Sequence, residues 1–307
     1  MNNQTETQNC DFTSDLKLKG FKVYQINGDQ SKIPVYSRRD FYKICINTSK
    51  SIIQYADRGI ETDGTILFFG NPIIPYSWET VSEGIAYGML LSSYMADKAL
   101  FDGLWLYYKD NVNGNKVMNW KISGCSATIG YNGATDAELD TAFALIVADY
   151  QWASAGTINY KNDATALISA VKNYEIEANT YVLKPGDQFG GSQITNPSYF
   201  SPAYYRVFGT FTNDTAFWNQ VAAKSYTVIN NNLTKNNAVG GLVSDWCEAS
   251  GAYSSQAGGY NNAGKTYTYD AARTPWRIAV DYLWYGTPEA KIYSKKSSDF
   301  VGGRISR

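Results

Sequence analysis

The sequence predicts an all-α chain of helical hairpins packed side by side. Apolar residues recur at spacings of three and four over eight separate stretches, several of those stretches open on explicit helix-start signals, and only two short segments read as extended. The chain has 307 residues, of which 44% are hydrophobic. A globule of that length buries about three quarters of its unfolded surface, so its core needs neither disulfides nor a structural metal.

In chain order, the polar opening MNNQTETQNCDF belongs to a loose arm expected over residues 1–20, and residues 21–307 follow as one domain. Helices are expected over about 38–57, 81–99, 136–153, 162–178, 201–211, 214–231, 275–285 and 287–297. Ser201-Pro202 and Thr274-Pro275 each set an N-cap residue before a proline at the first helical position. Thr80 to Glu83 and Thr135 to Glu138 have capping-box spacing. Residues 113–122 and 181–192 read as short extended or hairpin segments.

Composition excludes several chemistries. There is no histidine, which removes Ser-His-Asp and Cys-His nucleophile systems, histidine-bearing zinc sites and the commonest general base near neutral pH. Acid–base work falls mainly to carboxylates. Net charge is −1, with no lysine or arginine run, so no nucleic-acid partner is expected. Cys10, Cys45, Cys125 and Cys247 are widely spaced, which argues against zinc and redox motifs and leaves buried thiols or disulfides open. No metal or cofactor is called for. No apolar run is long enough for a membrane span, and the polar N-terminus is not a signal peptide. The chain is rich in aromatics, with 25 Tyr, 8 Trp and 13 Phe; these suit core filling and suit sugar faces equally well.

Three carboxylates stand at helix starts: Glu83 in VSEGIAYGM, Asp136 in ATDAELDTAFAL and Asp270 before the Thr274-Pro275 start. Alternate helices of stacked hairpins begin on one face, so the three can converge in a cleft. Taken singly, each is explained as well by the helix macrodipole, worth about 0.3–1 kcal/mol. A helix N-terminus lowers a carboxyl pKa, whereas a general acid needs it raised. A second carboxylate with partial burial reverses the sign. Glu83 as an acid therefore implies a neighbouring acid, and Asp136 is the candidate.

Seven blocks, in order, resemble the bacterial cellulase family known as glycoside hydrolase family 8: VSEGIAYGM, NGNKVMNWKI, ATDAELDTAFAL, KPGDQFGGS, NPSYFSPAYYRVF, DWCEASG and YDAARTPWRIAVDY, spanning residues 78–292. The resemblance implies an (α/α)6 barrel with a long cleft across the starts of its inner helices. It also implies endo-hydrolysis of the β-1,4 bonds of cellulose or mixed-linkage β-glucan with inversion. By matching position, Glu83 is the expected proton donor and Asp270 the general base that activates water. Asp136 is the carboxylate of the cleavage subsite, Tyr199 helps hold the water, and Arg273 orients Asp270. Trp120 and Phe189 match aromatic sugar-binding positions, Phe189 standing where tryptophan is more usual. Trp246 and Trp276 are assigned to neither core nor cleft.

Chitosanase and xylanase activities share the fold and the acid, and a truncated, inactive glycan-binding remnant is the alternative of another class. Helical matching ends near Ala290 and the chain closes with KSSDFVGGRISR, where family members continue with further helices. The barrel is therefore expected to be incomplete at its C-terminal end, with apolar helix faces uncovered. The function implies a secreted monomer, although no signal peptide is read in this chain.

Overall fold

The computed structural model describes residues 79–305, apart from 125–126, 239 and 260–263, together with the backbone of four strands between 43 and 70. The arm expected over residues 1–20 lies outside the described residues. The helix expected over 38–57 is replaced by two strands, β1 (Lys43–Asn47) and β2 (Ser51–Tyr55). β2 pairs antiparallel with β3 (Arg58–Thr62), and β1 pairs antiparallel with β4 (Ile66–Gly70). The misread run contains Ile44, Ile46, Ile52 and Ile53, and β-branched side chains stiff at χ1 favour extended backbone over helix.

Eight α-helices are described beyond them: α1 (Ser82–Tyr94), α2 (Lys98–Asp110), α3 (Thr135–Trp152), α4 (Tyr160–Ala170), α5 (Pro202–Phe211), α6 (Thr215–Asn236), α7 (Thr274–Tyr285) and α8 (Pro288–Ile305). The all-α reading holds for this part of the chain. α4 continues into a π turn over Val171–Glu175. The sequence reading missed α2, ending one helix at 99 and leaving the next dozen residues unassigned. Its signals are local and legible: Asp97 caps it by accepting from the Leu100 N–H (3.1 Å), and Phe101, Trp105 and Tyr108 line its buried face at helical spacing.

Successive helices pair as hairpins, α1 with α2, α3 with α4, α5 with α6 and α7 with α8. The first members also pack on one another in order, α1 on α3, α3 on α5 and α5 on α7. They form an inner arc, and the second members lie outside it. Aromatic contacts cement the layers: Phe143 of α3 stacks on Tyr204 of α5 (4.2 Å between ring centroids), and Tyr205 of α5 stacks on Trp218 of α6 (5.8 Å). The α5–α6 turn is tight because residue 209 is glycine; a Cβ there would stand 2.9 Å from the Thr215 Cα. A small sheet, β5 (Glu79–Val81), β6 (Lys121–Ser123) and β7 (Ala127–Gly130), covers the start of α1.

α3 is buried along nearly its whole length, although it carries Asp136, Glu138 and Asp140. Asp136 and Asp140 are answered from α7 and the turn before it, where Arg273, Arg277 and Asp281 recur every fourth residue. Arg277 grips both oxygens of Asp140 (3.0 and 2.8 Å) and also donates to Ser201 Oγ (2.8 Å). One turn further along, Asp281 accepts from Arg206 of α5 (2.9 Å) and Tyr226 of α6 (2.5 Å). α7 also leaves Trp276, Leu283 and Trp284 exposed, Leu283 at 77%, whereas the exposed side of α8 is mostly charged around Ile292. Cys247 is a buried free thiol, and burial pushes its pKa up to about 12; the side chains of the other three cysteines lie outside the described residues.

The Asp140–Arg277 pair is buried on both sides. Arg277→Met leaves an unpaired buried carboxylate and is expected to cost about 3–5 kcal/mol in denaturant unfolding. Adding Asp140→Leu removes that charge and is expected to recover most of the loss.

Candidate active site

The inner helices begin on one side of the arc, and the predicted site residues gather there. Glu83 lies in the first turn of α1, Asp136 in the first turn of α3, Tyr199 in the 3-10 turn just before α5, and Asp270 and Arg273 in the turn entering α7. Arg273 is the centre of the group. Its Nη1 donates to Asp136 Oδ2 (2.5 Å), and its Nη2 donates to Asp270 Oδ1 (2.9 Å) and to Ser198 Oγ (3.3 Å). Its guanidinium also lies over the Tyr199 ring, 5.2 Å from the centroid. The expected role of Arg273 towards Asp270 thus understates it, because the same side chain ties in Asp136.

Asp270 is held from three directions. Besides Arg273, its Oδ2 accepts from Asn196 Nδ2 (3.1 Å) and from Trp246 Nε1 (3.2 Å). Ser198 closes a ring by donating to Asn196 Oδ1 (2.7 Å) while accepting from Arg273. Asn196 and Trp246 arrive side by side because Thr195 and Cys247 exchange both backbone hydrogen bonds (2.7 and 3.0 Å). Asp245, buried beneath, accepts from the backbone N–H of Thr268 (2.9 Å) and Ala271 (2.8 Å), pinning the chain on either side of Asp270. About a third of the Asp270 side chain remains exposed, at 36%.

Electrostatics separates the carboxyls. Burial raises the Glu83 pKa above its ordinary value, and the charge of Asp270 adds to the rise, while Arg273 and the Glu83 backbone N–H oppose it. Glu83 Oε2 is buried without a donor. Asp136 is fully buried, and burial, opposed by Arg273 and reinforced by Glu83, raises it from 3.8 to about 7. Burial and the surrounding carboxylates hold the Tyr199 phenol well above its ordinary value, so its hydroxyl keeps its proton. The sign reversal expected for an acid at a helix N-terminus is therefore present, and desolvation is its largest cause.

Neither proposed capping box forms. α1 has Val81 and α3 has Ala134 at the N-cap, with no side-chain cap bond. Thr80 is instead in β5, paired with Ile122, and Glu138 accepts from Tyr108 Oη (3.1 Å). Ser201 and Thr274 likewise make no cap bond; Ser201 Oγ serves Arg277 instead, and α7 has Arg273 at its N-cap. The prolines Pro202 and Pro275 do stand in the first turns, as expected. Thr80 is taken by a strand, Glu138 by Tyr108 and Ser201 by Arg277, and no capping bond forms at the start of α1, so capping no longer accounts for Glu83.

The aromatic positions line the same region. Trp120 is 40% exposed; its carbonyl accepts from Ser82 N–H (2.9 Å), which ties it to the residue before Glu83. Phe189 is exposed and stacks on Trp246 (6.4 Å), which in turn meets Tyr199 (6.4 Å). Trp276, also exposed, meets Tyr87 of α1 edge-on (6.5 Å). Sequence reasoning missed Asn196, Ser198, Asp245 and Arg277, and left Trp246 unassigned. Asn196 and Ser198 precede Tyr199 in NPSYF, and Asp245 and Trp246 open DWCEASG, so the signal was present as adjacency within blocks already singled out. Among the described residues, no group of three or more Cys, Asp or Glu side chains is arranged to hold a metal ion.

Residues 47–302 match the family described as Glycosyl hydrolases family 8. The chain belongs to that family. It is 47% identical over 219 residues to Endoglucanase A of Acetivibrio thermocellus, covering 70% of this chain and 44% of the relative. It is 34% identical over 244 residues to a Beta-glucanase of Niallia circulans, covering 74% and 59%. Among solved structures it resembles a Beta-1,3-1,4-glucanase from a Paenibacillus species, with a TM-score of 0.67 at 30% identity over 75% of this chain and 64% of that one. The chain spans about half the length of the curated relatives it matches. Family 8 proteins are (α/α)6 barrels, and the arc of hairpins from α1–α2 to α7–α8 is of that class.

Asp136 is expected to leave a pH signature. Its folded pKa of about 7 lies above the ordinary 3.8, so the unfolded chain ionises this group first and stability falls as pH rises between those values. Asp136→Asn is expected to lack that part of the fall, which denaturant unfolding followed from about pH 4 to about pH 7 will measure as a gap closing in favour of the variant.

Proposed function

We propose that this cleft hydrolyses internal β-1,4-glucosidic bonds of cellulose-type or mixed-linkage β-glucan in a single inverting displacement. The observation that carries the reading is the pairing of two unlike carboxyls at one end of the arc. Glu83 is partly buried and pushed towards its protonated form, and Asp270 is fixed by three N–H donors with part of its surface open. Two carboxyls whose environments differ in this way suit an acid and a base. Relatives named endoglucanase and beta-glucanase support the substrate class.

In this reading Glu83 passes its proton to the glycosidic oxygen as the bond to the anomeric carbon breaks. Asp270 takes a proton from water, and the hydroxide so formed bonds to that carbon from the opposite face. An inverting pair needs about 6.5–9.5 Å between its carboxyls to admit the water. The Tyr199 hydroxyl, kept protonated by its surroundings, holds the water. Asp136 lies beside the sugar at the cleavage point, where its charge favours the developing oxocarbenium ion, while burial and the charge of Asp270 keep Glu83 protonated. Arg273 orients Asp136 and Asp270 together. Trp120 and Phe189 stack on neighbouring sugar faces, an arrangement suited to CH-rich rings edged with hydroxyls. Acting on an insoluble or polymeric glucan places such an enzyme outside the cell, and a monomer suffices for it. Among the described residues no helix is long and apolar enough to cross a membrane.

Glu83→Gln is expected to lower kcat by about 10²–10⁴, the usual share of a general acid. The check is reducing-end release from carboxymethylcellulose, barley β-glucan, xylan and chitosan. No release above the Gln variant on any of the four overturns the reading and favours glycan binding without catalysis. Proton NMR of the first product is expected to show the α-anomer, as inversion demands. Trp120→Ala is expected to raise KM more than it lowers kcat, because stacking holds the ground state and transition state alike.

A further inference from the structure

α3 carries a second buried carboxylate that the proposed reaction does not use. Glu138 is fully buried; its Oε1 accepts from Tyr108 Oη (3.1 Å), which itself accepts from the Met118 N–H (3.3 Å), and its Oε2 has no donor. Glu175, at the end of the π turn, is fully buried as well; neither of its oxygens has a partner in good hydrogen-bond geometry, and the buried Thr135 hydroxyl faces it and favours its ionised form. Both side chains converge on Gly133: a Cβ there would lie 2.8 Å from Glu175 Oε1 and 3.3 Å from Glu138 Oε2. Gly133 is fastened on its other side, its N–H donating to Asp187 Oδ1 (2.7 Å), while Asn113 (2.9 Å) and Asn115 (2.8 Å) donate to Asp187 Oδ2.

One orphaned oxygen of each carboxyl faces this backbone point, and between the two only a shared hydrogen is lacking. Two ionised carboxylates this close in a dry interior repel each other without compensation, whereas one proton supplies the missing donor and removes a charge. We infer that Glu138 and Glu175 form a buried acid–carboxylate pair that shares one proton and, through Gly133, sets the backbone leading into Asp136. The Tyr108 hydroxyl donates to Glu138, which marks Glu138 as the accepting member and Glu175 as the proton carrier. Burial pushes both carboxyls well above their ordinary values. The groups facing the pair are Tyr108 from α2, Thr135 and Asp136 from α3, and Lys184 and Asp187 from the loop after the π turn. Lys184 favours the ionised Glu175, and Asp187 and Asp136 oppose it. The π turn is what brings Glu175 inward, a local widening of the kind helices often reserve for functional positions.

Proton sharing stands apart from the glycosidase reading; only its effect on Asp136 rests on that reading. The test is Glu175→Gln, which keeps the shape, supplies an N–H donor in place of the proton and cannot ionise. The parent at neutral pH is expected to show the infrared carbonyl stretch of a buried protonated carboxyl that the variant lacks. Both carboxyls are raised above 4.5, so the parent's thermal midpoint is expected to fall as pH rises from that value through the raised one, and the variant's to fall less. The alkaline limb of kcat/KM is expected to move to higher pH in the variant, a change that a merely structural role would not produce. Glu175→Ala, which offers Glu138 no donor, is expected to melt below Glu175→Gln at every pH. Should Glu175→Gln fail to fold, Glu138→Gln reports on the same band. A carbonyl band insensitive to both glutamine variants overturns the proposal. So does a parent midpoint lowered by EDTA, which would put a cation where the proton is assigned. Neither spectroscopy nor melting requires turnover, so a failed activity assay leaves this result readable.

Discussion

One guanidinium joins the two halves of the site. Arg273 binds Asp136 of α3 and Asp270 at the entry to α7, and it can do both because its planar fork carries donors in fixed, diverging directions and never loses its charge. A fully buried Asp136 is tolerable only with such a partner. The helical repeat then carries the arrangement downward. Four residues along each helix, Asp140 meets Arg277, and one turn further Asp281 meets Arg206 and Tyr226. α7 and its entry turn are therefore pinned to α3 by two charge pairs and to α5 and α6 by Asp281, and the positions of Asp136 and Asp270 inherit that register.

Burial turns this scaffold into chemistry. On the α1 and α3 side, water is excluded and donors are few, so Glu83 and Asp136 are pushed up despite the favourable charge of Arg273. On the α7 side, Asp270 is met by donors from Asn196, Trp246 and Arg273 and is open to a ligand. Two carboxyls at helix starts, similar in the sequence, thus acquire opposite dispositions from their surroundings. The aromatic residues extend the same division of labour: Trp246 donates to Asp270 through its N–H and offers its ring to Phe189.

Much of the fold and of the site was legible. α1 and α3 to α8 announce themselves by apolar periodicity, and Pro202 and Pro275 stand where their fixed φ suits a first turn. Glu83, Asp136, Tyr199, Asp270 and Arg273 lie in ordered blocks, and they do meet at one end of the inner arc. The errors have local causes. The isoleucine-rich run near residue 50 mimics helical spacing while preferring extended backbone, and α2 was hidden because its neighbour's pattern ran into it. The capping boxes had the right letters, yet Thr80 was claimed by a strand and Glu138 by a tyrosine on another helix.

The sequence by itself determined most of the helical segments, that carboxylates must carry any acid–base chemistry in a chain without histidine, and which acids stand at helix starts. Only the tertiary structure decided what those acids are. Arg277 and Asp140 are 137 residues apart in the chain, as are Arg273 and Asp136, and Trp105 meets Asp163 across 58. Periodicity and capping signals reach no further than a turn or two of helix, whereas the charge state of a carboxyl depends on the water, cations and other carboxyls within a few ångströms of it in space. Those neighbours come from α1, α3 and α7 and from the turns that carry Asn196, Trp246 and Arg273, and only packing brings them together.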